Sequence, residues 1–413
     1  MKQLINKRLL LVYGASIASI GYVFSIATTS IAIGIFLFFW LINFRELNFN
    51  FFLKLQKIHF LTLLFLLLLL GLMYSLDTSQ GLKEVSKQIS FLLFPLVFLT
   101  IKPFKEKERF IIKRLFIYSL SILFCLCLLN ALYRQTIRTI EGSDFNWYFF
   151  YRYDFLELFN QHPTYISMYT ILSIGFLLDK GKAIIKSHKT LILTLLIQGL
   201  AIVLYGSRIG YILLFIILLL FIVKDLKTKE KKLKRYWLIG YFSVLLLVGY
   251  LSWSIPIVKE RIQFTFGYQK EYKYNDKEEI KNNSPEEDGR LLLWKDAVDL
   301  ISMKPIFGYG TGSNRKVLLE KYKKEGHHLF FEKRYNVHNT YLELLISGGI
   351  PLLLAFLCVL GSLAYHAKKQ NDYNQITFLL IISIASMTET IFLSQGIAFL
   401  SFFYCFNLTK KLI

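Results

Sequence analysis

The chain has 413 residues, of which 54% are apolar, 16% aromatic and 19% charged. Soluble domains carry about 25% charged residues, and here the charges come in clumps between long apolar runs, which excludes a soluble enzyme, a disordered chain and a receptor with a single anchor. The net charge of +21 then reflects the Lys and Arg bias of cytoplasmic loops rather than nucleic-acid binding.

The sequence predicts an all-α polytopic membrane protein with about 12 transmembrane helices. The apolar run that follows Met1 to Arg8 reaches Phe44. It is too long for a signal peptide and lacks the small-residue cleavage pattern, so it reads as retained. Two short helices, broken near Thr28–Ser30, account for it. Further spans are expected at 58–75, 86–101, 115–133, 162–178, 190–206, 208–223, 237–254, 339–362, 375–391 and 392–409. Several hold only about 16–18 residues, the short end for crossing hydrocarbon.

With the N-terminus cytoplasmic, 27 of the 49 Lys and Arg fall in cytoplasmic segments and 6 in the short loops opposite. The other 16 lie in one long loop over 256–337, which does not vote because long loops cross regardless of charge. The expected topology is N-in/C-in with that loop outside. Spans 1–9 occupy 1–255, the loop 256–337, and spans 10–12 occupy 338–413.

Within the loop, 269–288 is a lysine-rich polar excursion expected to be solvated. Arg290 to Ile301 reads as an amphipathic helix on the outer interface, with Trp294 at headgroup level. Pro305 ends it. Gly308 and Gly310 follow in Phe307-Gly308-Tyr309-Gly310-Thr311-Gly312, a run that lets the backbone turn sharply. It is not a P-loop, since no strand precedes it and no Lys-Ser/Thr follows. Another short helix begins at Asn314. Cys125, Cys127, Cys358 and Cys405 all lie in apolar runs and read as small buried hydrophobes. His327 and His328 read as surface residues, because no Cys, Asp or Glu stands at zinc-ligand spacing.

Four groups at the expected outer face carry chemistry. Arg208, in Tyr205-Gly206-Ser207-Arg208, interrupts a long apolar run. It is either a hairpin tip snorkelling to lipid headgroups or an anion site, with Ser207 capping the next helix. Arg290 is either a solvated charge or part of that site. His338-Asn339 opens the tenth span, where a helix N-terminus disfavours an imidazolium and keeps the ring a neutral base; a polar capping pair is the alternative. His162-Pro163-Thr164-Tyr165 opens the sixth, with Pro163 suited to the first helical position and His162 a cap or a ligand contact. Two acids lie in apolar spans, where acids are paired or functional. Glu343 stands where it would pair with Arg208 or orient the imidazole, and Glu389 reads as a structural partner.

In their order, these features resemble the O-antigen ligase / O-antigen polymerase family of bacterial envelope glycosyltransferases. The resemblance rests on Ser207-Arg208 opening a span, on Arg290 with Trp294, on Pro305 before Gly308 and Gly310, and on His338-Asn339 with Tyr341, Leu342, Glu343, Gly348 and Gly349. It covers about residues 160–365; the flanking spans match only in hydropathy. It implies metal-independent transfer, with no cofactor, of a glycan from undecaprenyl diphosphate to an acceptor hydroxyl at the periplasmic face of the cytoplasmic membrane. Ligases of the family use the lipid A core as acceptor, polymerases another repeat unit, and one branch glycosylates proteins. By resemblance, Arg208 and Arg290 hold the diphosphate and His338 takes part in activating the acceptor. Ser207, Asn339, His162, Tyr165, Gly308 and Gly310 are the expected substrate contacts, with Glu343, Glu389 and Trp294 in support. The residues agree with that chemistry: guanidinium forks suit diphosphate oxygens, and a base suits the attacking hydroxyl. The rival from another class is a lipid-linked glycan transporter or flippase, for which the outer arginines only dock the headgroup.

Overall fold

The computed structural model describes residues 7–50, 56–228, 240–243, 246, 249–250, 253–254, 289–392 and 395–409. The excursion at 269–288 and most of the expected span 237–254 lie outside the described residues. Among the described residues there are helices and turns and no strand. In chain order the helices are α1 (Lys7–Phe24), α2 (Ile26–Ile42), α3 (His59–Gly71), α4 (Thr78–Lys87), α5 (Ser90–Thr100), α6 (Glu106–Ile140), α7 (Arg152–Leu156) and α8 (Pro163–Ile184). They continue as α9 (His188–Tyr205), α10 (Arg208–Thr228), α11 (Gly289–Met303), α12 (Asn314–Glu325), α13 (His328–Lys333), α14 (Thr340–Gln370), α15 (Tyr373–Ala385) and α16 (Gln395–Leu408).

The first apolar block breaks at Ser25, earlier than the expected Thr28–Ser30. Ser25 is extended, its Oγ accepts from Thr28 N at 3.0 Å, and its own N–H donates to Thr28 Oγ1 at 2.8 Å. This reciprocal capping satisfies backbone donors that a helix start leaves open. α1, α6, α9, residues 208–227 of α10, and α14 are long and apolar enough to cross a membrane. α2, α3, α15 and α16 are apolar but shorter. Among its described residues the protein is all-helical, with the apolar helices of a membrane protein, and two of the shorter ones fall within the last two expected spans, 375–391 and 392–409. At 13 and 14 residues, α15 and α16 reach only about 20 Å each against roughly 30 Å of hydrocarbon. The turn residues 386–392, where the first of those spans was expected to continue, lie between them.

α16 is buried along its whole length, as expected of a helix apolar on all sides. Phe402 packs edge-on against Phe94 and Phe98, both at 5.6 Å, and Phe403 against Phe116 at 5.1 Å. α5, α6, α8 and α15 thus surround it.

Polar contacts gather at one end of this bundle. Lys180 Nζ donates to Glu106 Oε1 at 2.8 Å, Lys224 pairs with Asp179, and Asn374 Nδ2 donates to Asp179 Oδ2 at 2.7 Å. Glu106 starts α6, and the others sit near the C-terminal ends of α8 and α10 and just beyond α14. The N-terminal ends of α8, α10 and α14 therefore meet at the opposite end.

α14 is broken at Gly349 (φ 64, ψ −157), and Pro351 has no N–H to give. The carbonyls released by the break are taken up by the 305–310 segment. Tyr309 N donates to Ile346 O and Gly310 N to Ser347 O, both at 2.8 Å, while Ile350 N donates to Pro305 O at 3.1 Å. The break thus leaves Ile346 O, Ser347 O and Ile350 N with partners. It also fixes the position of α11, which ends just before that segment.

Candidate functional site

A cavity of about 380 Å³ opens at the end where the three N-termini meet, and Arg208, Arg290 and His338 all line it. Three capping residues define its helix ends. His162 Nδ1 accepts from Thr164 N at 3.3 Å and opens α8. Ser207 Oγ accepts from Gly210 N at 3.2 Å at the start of α10 and donates to Thr164 Oγ1 at 3.4 Å. Asn339 Oδ1 accepts from Leu342 N at 3.2 Å and opens α14. The positive ends of three helix dipoles therefore converge where guanidinium groups gather. Gly206 permits the tight entry into α10: its φ is +58, and a Cβ there would overlap the Tyr151 ring.

Glu389 is the acid of this cavity. Its Oε1 lies 3.6 Å from Arg290 Nη2 and accepts from Thr164 Oγ1 at 3.5 Å, and its Oε2 lies 3.6 Å from His338 Nδ1. Its turn is held by Thr340, whose N–H donates to Ser386 O at 2.8 Å and whose hydroxyl donates to Glu389 O at 2.7 Å. Burial pushes the Glu389 carboxyl up, but His338, His162 and Arg290 outweigh it and hold the group below the usual carboxylate range. Burial pushes His162 below its ordinary value, with Glu389 opposing the shift.

His338 has a left-handed backbone (φ 50), and its N–H donates to Asn336 Oδ1 at 3.2 Å. Trp294 Nε1 donates to Val337 O at 3.1 Å. The indole N–H of Trp294 is thus committed within the protein. It packs partly buried against a small core that includes Leu293, Val317, Phe330 and Val337. Its hydrogen bond ties the His338 turn to α11, one turn beyond Arg290.

Other expected site residues have different surroundings. Tyr165 OH donates to Thr390 O at 2.8 Å, bracing the Glu389 turn from α8. Gly308 and Gly310 are packing positions with positive φ, where a Cβ would press on Ile346 O and on the Ser75 backbone respectively. They lie outside the cavity lining, as do Asn339, Trp294 and Glu343. Glu343 lines a second cavity instead. His327 is not a plain surface residue: its Nδ1 meets the buried Asp296 carboxylate at 2.8 Å.

Sequence reasoning missed Arg152, Tyr153, Arg334 and Tyr335, all of which line the cavity. Arg152 (φ 54) and Arg334 (φ 53) are both left-handed. Tyr153 OH lies 2.9 Å from His162 Nε2. Both places carry an Arg-Tyr pair, which also occurs at 235–236 and so does not single them out.

Fold and site define a multi-helix membrane protein with a strongly cationic, imidazole-bearing cavity at one end of its bundle. Residues 193–357 match the family model described as O-Antigen ligase, so this part of the chain is similar to that family of glycosyltransferase-like membrane ligases and polymerases. The match includes Arg208, Arg290 and His338; Arg152, His162 and Glu389 lie outside it. No curated protein sequence matches the chain.

Proposed function

We propose that the protein transfers a glycan from undecaprenyl diphosphate to an acceptor hydroxyl, at the extracytoplasmic face of the bacterial cytoplasmic membrane. The observation that carries this reading is one cavity lined by four guanidiniums, of Arg152, Arg208, Arg290 and Arg334, together with His338 beside a carboxylate. The donor already has a good leaving group. What a site adds is positive charge where the diphosphate gains negative charge, and a base for the incoming hydroxyl.

In the proposed step the acceptor oxygen bonds to the anomeric carbon and passes its proton to His338 Nε2. The bond from that carbon to the diphosphate oxygen breaks, and the electron pair leaves with undecaprenyl diphosphate toward the arginines. Attack from the opposite face inverts the anomeric centre. Glu389 orients Nδ1, so that Nε2 is the basic nitrogen. The N-in/C-in orientation from the Lys and Arg count puts this cavity on the outer side. The working unit is the core at about 160–365 extended to the Glu389 turn, with the spans before it as scaffold.

The test is reconstitution of the purified chain in vesicles with lipid-linked glycan and acceptor glycolipid, without an energy source. Formation of a glycoconjugate is expected. Lipid translocation without product would replace the enzyme by a transporter. The product's size distribution, one transfer or a ladder of repeats, separates a ligase from a polymerase.

A further inference from the structure

A second cavity, of about 300 Å³, shares one wall with the first: Arg334, Tyr335 and Asn336 line both. Its other polar walls come from separate elements, with Glu84 and Gln88 at the end of α4, Asn314 on α12 and Glu343 on α14. Two amide oxygens there lack a hydrogen-bond partner among the described residues. One is Gln88 Oε1, on a residue only 5% exposed; the other is Asn314 Oδ1, whose amide nitrogen is already committed to Glu343 O at 3.1 Å. A buried acceptor left without a donor is costly to a fold, so these atoms point to a ligand that brings hydroxyls.

We infer that this second cavity is the acceptor subsite and takes a sugar ring. Carboxylates and amide oxygens accept from ring hydroxyls, and Tyr335 with Phe392 offers apolar surface for the C–H face of a pyranose. The two acids are accompanied by three cations, Lys87, Arg315 and the shared Arg334, against four arginines and one acid in the first cavity. The smaller cationic excess suits a sugar ring, whereas the first cavity's arginines suit a diphosphate. The shared wall gives the geometry its sense. Asn336 borders both cavities, and its Oδ1 accepts from His338 N at 3.2 Å. A sugar held on one side of this strip presents a hydroxyl toward the imidazole on the other. The inference rests on the glycosyl-transfer reading above and adds to it where the acceptor binds.

Two measurements on the full chain in lipid nanodiscs test it. In the first, Gln88→Cys is modified by a water-soluble charged thiosulfonate, with the wild-type rate subtracted. Glucose, galactose or N-acetylglucosamine should slow the modification, and sodium chloride should not. In the second, Gln88→Leu and the isosteric Glu84→Gln are assayed with acceptor glycolipid extracted from cells lacking the gene. Both should raise the acceptor KM about tenfold with little change in kcat, and should leave binding of undecaprenyl diphosphate unaltered. Wild-type KM in both variants, or weakened undecaprenyl diphosphate binding, would overturn the subsite while transfer by the wild type left the parent reading standing. Sugar protection in a chain that transfers nothing would keep the sugar site and remove the glycosyltransferase. Absence of protection by every sugar would remove the site.

Discussion

Oε2 of Glu389 stands 3.6 Å from Nδ1 of His338, across the gap between the turn that follows α15 and the turn that opens α14. In the proposed mechanism this carboxylate draws the proton to Nδ1, which leaves Nε2 to take a proton from the acceptor. Glu389→Gln keeps the shape and removes the charge, and should lower the transfer rate by about 10²-fold or more, as loss of an orienting acid does beside other catalytic imidazoles. A wild-type rate would reduce Glu389 to a structural partner of Arg290. The carboxyl is held below the usual range, so its stabilising charge is present above the unfolded value of roughly 4.3 and is lost only as pH falls through the lower folded value. An acid limb between about pH 5 and 7 would therefore belong to another group.

His338 has φ 50, a conformation that asparagine adopts more readily than alanine. His338→Asn therefore removes the imidazole with less backbone strain than His338→Ala. Transfer should fall about 10²- to 10⁴-fold, the usual worth of a general base. Undecaprenyl diphosphate binding and membrane insertion should persist. Retained turnover would remove the proposed base.

Arg208 opens α10 at a point where a helix N-terminus and a guanidinium face the same cavity. Arg208→Lys keeps the charge and loses the planar fork. Transfer by this variant should drop about 10²-fold, on the scale seen when one donor to a developing anion is removed. Full activity would make Arg208 a lipid-headgroup anchor.

The helices were legible because long apolar runs have one inexpensive solution in lipid, a helix that satisfies its own backbone. Arg208, Arg290 and His338 stood out for a related reason, since charge in or beside an apolar run needs a cause. Arg152 and Arg334 did not, because each lies in a short connecting segment with other charged residues nearby, where an arginine needs no special cause. The shortness of α15 and α16 was hidden by Ile391 and Phe392 between them, which are buried in protein and carry the same hydropathy as lipid-facing residues. The packing of Gly308 against Ile346 O and the bond from Gly310 N to Ser347 O could not be read in the sequence, because those carbonyls lie some forty residues away along the chain.

His162 offers a pH test of the fold. Burial holds its folded value below the ordinary one of about 6.5. The unfolded chain therefore takes the proton first. Stability is full above roughly pH 6.5 and falls as pH drops from there toward the folded value. His162→Asn keeps an acceptor for Thr164 N and removes the titration. Between about pH 7.5 and 5.5 the wild-type thermal midpoint should fall more than the variant's. Equal falls would place the acid sensitivity elsewhere.

Two glycines of α14 separate the local cost of a substitution from the cost of losing the site's scaffold. At Gly361 nothing stands within 4 Å of a new Cβ, so Gly361→Ala should leave the thermal midpoint unchanged or raise it, by up to about 1 kcal/mol of helix preference. At Gly349 the backbone is left-handed and a Cβ would overlap the Ile306 carbonyl oxygen. Gly349→Ala adds about 1–3 kcal/mol of backbone strain to that overlap. Relief of the overlap would displace the 305–310 segment, and with it α11, which carries Arg290 and the Trp294 hydrogen bond to the His338 turn. The variant should therefore lose transfer as well as stability, read as lower thermal midpoint and lower rate in the same preparation. A Gly349→Ala protein as stable and active as Gly361→Ala would mean that the break in α14 does not hold the cavity's cationic wall in place.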